Sequence, residues 1–427
     1  MLVNILESRL CYLIFAILLK IILDYSYVNY VVEVFAYDGF ELNFDIKRYF
    51  LISLILIAIS ILTPKIINKI SDYFFNIFLF LVIYPLGVMT SLNSYLSLEP
   101  FFVNIVVFST LMLFMKLKFS NKKINVPYVK NGRHIYLYLS WFMIVYLIVL
   151  YVITGAISNF NLDLSKVYDF RDVNAELTNV GITAYLNSWV YQVFSIALMA
   201  YALLKKNYIL FFVLILTQVF FFGIAAHKSI LFSPLMVVGV YFYLSKTKAL
   251  STVPIMLFLV VLVGVMLFYL DNKSLLSSVL IRRIFFVPAN LSFAFFDFFS
   301  NHQFNYWSDS ILSSFQSKKY YNSIPQEVGN YLGTNARANN GLVSSGYAQA
   351  GYLGIFIYST ILFFILKLID GLAEKNIPIW FYLVLVITPI RNLMLSSDLF
   401  TVLLTHGFIV AIIMLILFRE KAVKKYG

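Results

Sequence analysis

Apolar runs close to twenty residues long alternate with short polar connectors along almost the whole chain. The runs lie near 9–26, 48–64, 74–92, 98–116, 135–154, 183–204, 208–224, 228–244, 252–270, 346–368, 377–394 and 400–418. Each approaches the ~20 residues that a helix needs to cross a ~30 Å hydrocarbon core, so the pattern predicts about twelve spans. The first run has an acidic residue ahead of it and no small-residue cleavage site behind it, so it reads as a span that is kept. One connector breaks the rhythm: residues 271–345 form a long polar reach, opening near RRIFFVPAN and closing in NARANNGLVSSGYAQAGYLG. Its early part, 281–300, is apolar but starts with two arginines and carries Pro288 and Asp297. It is expected to be an interfacial or re-entrant helix.

Composition fits this pattern. Of 427 residues, 61% are hydrophobic and only 12% charged, far below the charged share of a soluble surface. The expectation is an all-α polytopic membrane protein: residues 1–427 form a single integral domain, and 271–345 form its large loop. Net charge is +12. In a soluble chain that would suggest nucleic acid, but here basic loops on the cytoplasmic side explain it. The single cysteine, Cys11, excludes an internal disulfide and reads as a packing residue.

Loop charge orders the topology. The connectors after the second and fourth runs, those at 205–207 and 245–251, the link around Lys375 and the C-terminal tail are basic, and alternation puts all of them on one side. That side is expected to be cytoplasmic, with both termini on it. The segments 28–47, 93–97, 155–182, the turn near His227, 271–345 and 395–399 then face outward.

The cytoplasmic cations are nearly all lysines, whereas Arg48, Arg171, Arg282, Arg283, Arg337 and Arg391 fall on the outward side. The positive-inside preference needs only charge, so outward arginines call for their own reason. A guanidinium is a planar, permanently charged fork that grips phosphate with two parallel hydrogen bonds. Each also has a plainer reading. Arg48 can anchor at the interface, Arg171 can pair with Asp169 or Asp172, and Arg282 and Arg283 can anchor at the headgroups. Arg391 lies inside an apolar run, where an unpartnered charge costs about 3 kcal/mol, so it needs either Asp398 or a ligand. Lys228, beside His227 and Ser229 at an outer helix mouth, can meet a phosphate or snorkel. Arg337 sits among Asn and Gly in turn-forming sequence. Gly346, Gly351 and Gly354 suit tight helix packing.

A proton acceptor has fewer candidates. His302, Asp309 and Glu327 lie in the outer loop, where an imidazole or carboxylate can take a proton from a sugar hydroxyl. Tyr306, Trp307, Tyr320 and Tyr321 can stack on sugar faces or form part of an interfacial belt. The sequence has no Walker loop, dinucleotide fingerprint, paired His/Cys metal spacing or D-x-D. Neither a metal site nor a cofactor is expected.

The many spans, the outward loop before the last three, RRIFFVPAN, HKS at 227–229 and NARANNGLVSSGYAQAGYLGI together resemble bacterial O-antigen polymerases, the Wzy-type oligosaccharide repeat-unit polymerases. The resemblance is sharp in 226–233, 282–300 and 333–354. It implies a GT-C-like glycosyltransferase of the cell inner membrane, part of lipopolysaccharide biosynthesis and active on the periplasmic face. Such an enzyme moves a glycan from undecaprenyl pyrophosphate onto a new lipid-linked repeat unit. Arg171, Lys228, Arg282, Arg283, Arg337 and Arg391 would bind the pyrophosphate, and His302 or Glu327 would act as base. Implied partners are undecaprenyl-pyrophosphate-linked repeat units, membrane lipids, a chain-length regulator and a flippase, with no nucleic acid. The rival readings are an O-antigen ligase of the same architecture and a lipid-linked oligosaccharide flippase. A secondary transporter should show repeat symmetry and polar, broken helices near the midplane, whereas here polarity gathers in one outer loop.

Overall fold

In hydrocarbon every backbone N–H and C=O must find its partner within the protein, and helices built from apolar runs do this locally. The computed structural model describes residues 2–117, 126–163, 167–271, 275–374 and 376–419, without the side chains of 2, 167–172 and 311–312. Among these residues the chain is all-α, with eleven helices long and apolar enough to cross a membrane. Two further helices, Ile46–Leu62 and Ile379–Leu395, have 17 residues each. The protein is a polytopic, multi-pass membrane protein. Lys118, Lys122, Lys123, Lys375 and the tail from 420 lie outside the described residues.

The chain separates into two compact units. The first comprises Met1–Lys122, Thr247–Lys367 and Arg391–Leu399. Its centre is the helix Ile70–Leu92, almost wholly buried, and Arg9–Ser26 packs most extensively on Thr252–Leu270. Local signals start these helices. Ser8 accepts from the Cys11 amide at 3.1 Å, and Asp45 accepts from the Arg48 amide at 2.9 Å. Both occupy the position before the first turn, where amides lack intrahelical partners. The second unit comprises Lys123–Lys246, Leu368–Ile390 and Phe400–Gly427, and includes Gly132–Ile153, Ile182–Leu204, Tyr208–Ala225 and Lys228–Lys246.

Within each unit the loops meet in two sets. In the first unit, Leu250 N donates to Lys65 O at 2.7 Å, Ile67 N to Lys248 O at 2.9 Å, and Ser251 Oγ to Leu6 O. In the second, Arg419 donates to Val126 O at 2.9 Å and pairs with Glu374 at 3.4 Å. These contacts join basic connectors to one another. The opposite set joins Asn43 to Leu92 and Ser94 in the first unit, and Asn161 to Gly223 in the second.

Several segments depart from simple spans: the first helix continues past Ser26 to Asp38, the last run is broken between Leu403 and Phe408, and two more bear on the site. Where the sequence predicts an interfacial or re-entrant helix at 281–300, a continuous 27-residue helix runs over Leu275–Asn301, with π-helical turns at Ser278–Phe286. It has the length and apolarity of a span. The predicted run 346–368 starts earlier, at Leu342, and breaks at Ala350 and Gly351, where φ is −156° and +59°. Only glycine adopts the second value without strain. The chain folds back so tightly there that a Cβ on Gly354 would lie 2.0 Å from Gly346 O.

Candidate functional site

Gly346–Gly354 contact leaves a short helical arm, from Leu342 to the break, folded back against the longer helix that follows. The arm's C-terminal carbonyls would be orphaned at such a break, and the loop after Asn301 satisfies them. Asn305 N donates to Ala348 O at 2.9 Å, and Tyr306 N to Gln349 O at 2.8 Å. Gln349 Oε1 in turn receives Trp307 N at 2.7 Å and Asn305 Nδ2 at 3.0 Å. Tyr306 and Trp307 both hold positive φ, 51° and 60°. For aromatic residues this conformation is strained, so the surrounding bonds must fix it. The Trp307 indole turns inward and donates to Tyr358 Oη at 3.0 Å, and Tyr358 donates to Asp398 at 2.8 Å.

The start of the arm is a node. Asn340 Nδ2 donates to Ser292 Oγ at 3.0 Å, Ser344 Oγ at 3.1 Å and Pro288 O at 3.3 Å, and Asn340 Oδ1 accepts from Gly341 N at 2.8 Å. Gly341 meets the far end of Ile379–Leu395 so closely that a Cβ would lie 2.0 Å from Met394 O. Leu81, Leu86 and Asn104 complete a small cleft around these residues.

Three arginine-bearing segments converge on this node. Arg283 precedes Pro288 by about 7 Å of helix at ~1.5 Å per residue. Arg337 precedes Asn340 by at most about 10 Å of chain, and Arg391 lies roughly one turn before Met394 and Leu395. Arg283 and Arg337 are exposed and form no ion pair or side-chain hydrogen bond among the described residues. Arg391 is exposed and donates to its neighbour Asn392 at 2.8 Å, while Asp398, its expected partner, accepts from Tyr358.

Arg282 differs from its neighbour. Successive helical residues point about 100° apart. Arg282 faces Asp38, to which its Nη1 is bonded, and lies over the Phe35 ring at 4.2 Å. Its fork is committed to holding the helix. Arg48 is a clamp as well: its three guanidinium nitrogens donate to Thr90 O, Ser94 O and Leu96 O at 2.7, 2.8 and 2.6 Å. Sequence reasoning treats it as a membrane anchor, because backbone acceptors leave no residue-type signature. Lys228 is exposed and belongs to the second unit, whereas Asn340 and Gly341 belong to the first. The Arg171 side chain lies outside the described residues.

Of the proton-acceptor candidates, His302 is exposed and oriented. Its Nδ1 is 2.8 Å from Phe298 O and its ring stacks on Phe298 at 4.1 Å. A carbonyl only accepts, so Nδ1 carries the proton and Nε2 of the neutral ring keeps its lone pair. Tyr331 lies edge-on to the imidazole at 6.2 Å and donates to Asp297 at 2.6 Å. That hydrogen bond to a carboxylate pushes the Tyr331 phenol above its usual range. Glu327 accepts from Asn322 N at 2.9 Å and so tethers the start of Ile324–Tyr331, and Asp309 accepts from Asn305 at 2.6 Å. Tyr306 and Tyr321 are exposed, whereas the Tyr320 hydroxyl bonds Gln303 O. Among the described residues no group of three or more His, Cys, Asp or Glu side chains is placed to hold a metal. No family profile, curated protein or solved structure matches the chain.

Proposed function

We propose that the chain is a membrane glycosyltransferase of the O-antigen polymerase type, acting at the periplasmic face of the bacterial inner membrane. In this reading Leu275–Asn301, whose Arg282 and Asn290 both bond Asp38, lies at that face rather than crossing, so that the twelve remaining long helices among the described residues leave both termini cytoplasmic. The chain transfers the growing glycan from undecaprenyl pyrophosphate to a hydroxyl of a newly delivered lipid-linked repeat unit. The observation that carries this reading is the node at Asn340 and Gly341. Around it, segments bearing Arg283, Arg337 and Arg391 are fixed to one another, and the first two guanidiniums have no protein partner among the described residues.

In the reaction, the bond between the anomeric carbon and the pyrophosphate oxygen breaks and negative charge grows on the leaving group. Guanidiniums carried on segments fixed near that charge stabilise it more in the transition state than in the ground state. The acceptor oxygen forms the new glycosidic bond and loses its proton to a base. Of the base candidates, His302 Nε2 keeps its lone pair while Glu327 is tied to the loop amide of Asn322. Because His302 follows Arg283 by about 28 Å of helix, it would act at the Arg337 side of the node. Exposed Tyr306 and Tyr321 offer faces for sugar rings. Arg282, bound to Asp38, serves the frame.

The test is complementation of a deletion strain, read as the banding of surface polysaccharide. Loss of a polymerase leaves single repeats attached, whereas loss of a ligase leaves none. Wild-type ladders from both Arg283→Ala and Arg337→Ala would remove the basis of the reading.

A further inference from the structure

At the end of the second unit that carries its basic connectors, a cavity of about 880 Å³ is lined by Lys130, Arg133, His134, Lys205 and Arg419, with Tyr128, Leu137 and Tyr201 among its walls. Close packing borders it. A Cβ on Gly132 would lie 2.2 Å from Leu417 O, so the helix starting at Gly132 abuts the end of Phe408–Phe418 backbone to backbone. This sets Arg133 and Arg419 at the same rim.

Both guanidiniums are held in place. Arg133 Nε donates to Phe418 O at 3.2 Å and lies over the Phe418 ring at 4.8 Å. Arg419 donates to Val126 O at 2.9 Å, pairs with Glu374 at 3.4 Å and covers the Tyr128 ring at 4.5 Å. Lys130 and Lys205 are exposed beside them. Among the described residues Lys130, Arg133, Lys205 and Arg419 line the cavity, and Glu374, paired with Arg419, offsets one of these four charges. The first turn of a 22-residue helix also opens there and adds its positive end.

The positive-inside preference explains the sign of this face but does not require its cations to surround a concavity. Fixed arginines flanked by lysines above an apolar wall are the arrangement that binds phosphate at a membrane surface. We propose that this cavity binds a phosphate group, carried either by the headgroup of an anionic lipid or by a free phosphate. The site is independent of the transferase reading and lies in the unit that does not contain the Asn340 node.

The test uses the full-length protein. One arm measures retention of phosphatidylglycerol and cardiolipin against phosphatidylcholine by native mass spectrometry, and the other measures inorganic phosphate binding in lipid-free detergent. The Lys130→Gln/Lys205→Gln variant is compared with a Lys69→Gln/Lys246→Gln control, which alters exposed lysines outside the cavity. Matching gel-filtration profiles establish folding. At least a tenfold loss in the cavity variant, with less than a twofold change in the control, is expected in one arm. Loss in the lipid arm identifies a headgroup, and loss in the phosphate arm a free anion. Equal binding by wild type and cavity variant in both arms, or an equal loss in the control, overturns the proposal.

Discussion

Asn340 Nδ2 lies 3.0 Å from Ser292 Oγ, and this hydrogen bond ties the loop carrying Arg337 to the helix carrying Arg283. Both residues are buried, and the same amide reaches Ser344 and Pro288 while its oxygen takes the Gly341 amide. Asn340→Leu keeps similar bulk but removes every one of these bonds. Leaving the buried Gly341 N–H unpaired should cost about 1–3 kcal/mol. The expected result is a lower unfolding midpoint in detergent, together with reduced polysaccharide laddering. An unchanged midpoint would show that the node does not hold these segments together.

Adjacent arginines should behave as opposites. Arg282→Ala removes the Asp38 bond and the contact over Phe35, so it should lower stability by about 1–3 kcal/mol. Arg283→Ala and Arg337→Ala remove exposed side chains that the fold does not use, and membrane levels and unfolding midpoints should stay at wild-type values. Elongation of a lipid-linked repeat by the purified variants should fall by about 100-fold or more, the scale for losing one fixed donor to developing charge. Lysine at either position should rescue poorly, because an ammonium cannot form the paired fork.

Much of this architecture is legible in the pattern of apolar residues. Most predicted runs coincide with a helix to within a few residues, since a helix pairs the backbone locally in hydrocarbon. The first helix, however, continues to Asp38, 346–368 is broken at Gly351, and 400–418 is broken between Leu403 and Phe408. Other features carry no one-dimensional signal. The π-helical turns at Ser278–Phe286 add residues to the local repeat, so ordinary 3.6-residue spacing does not show which arginine faces Asp38. The Arg48 clamp ends on carbonyls, which every residue type possesses. The glycines at 346, 351 and 354 suggest close packing, but the reversal at Gly351 depends on a dihedral angle that composition cannot specify.

Two glycine-to-alanine changes separate packing from propensity. At Gly341 the added methyl would sit 2.0 Å from Met394 O, a backbone atom, so the two segments must move apart. Overpacking of this kind costs about 1–3 kcal/mol. Gly239 lies inside Lys228–Lys246, and its Cβ would meet nothing within 4 Å. Alanine there should be neutral or stabilise by up to about 1 kcal/mol through helix propensity. Paired melting curves check this contrast, and similar effects at both positions would contradict the packed contact at Met394.

Tyr358 connects the loop after Asn301 to the segment around Asp398. It accepts from the Trp307 indole and donates to Asp398, and it is 1% exposed. Tyr358→Phe preserves the ring but leaves the indole N–H without its acceptor, at a cost of about 1–3 kcal/mol. Trp307→Phe removes the donor and should cost a similar amount. Because each change breaks the same bond, the double variant should lose less than the sum of the two, with a coupling of about 0.5–3 kcal/mol. The same variants should release Tyr306 and Trp307 from their strained backbone conformation, since the indole anchor helps to fix it. Faster protease cleavage between Gln303 and Asn322 would report that release. Strict additivity with unchanged cleavage would mean that the loop is held by the Gln349 contacts alone.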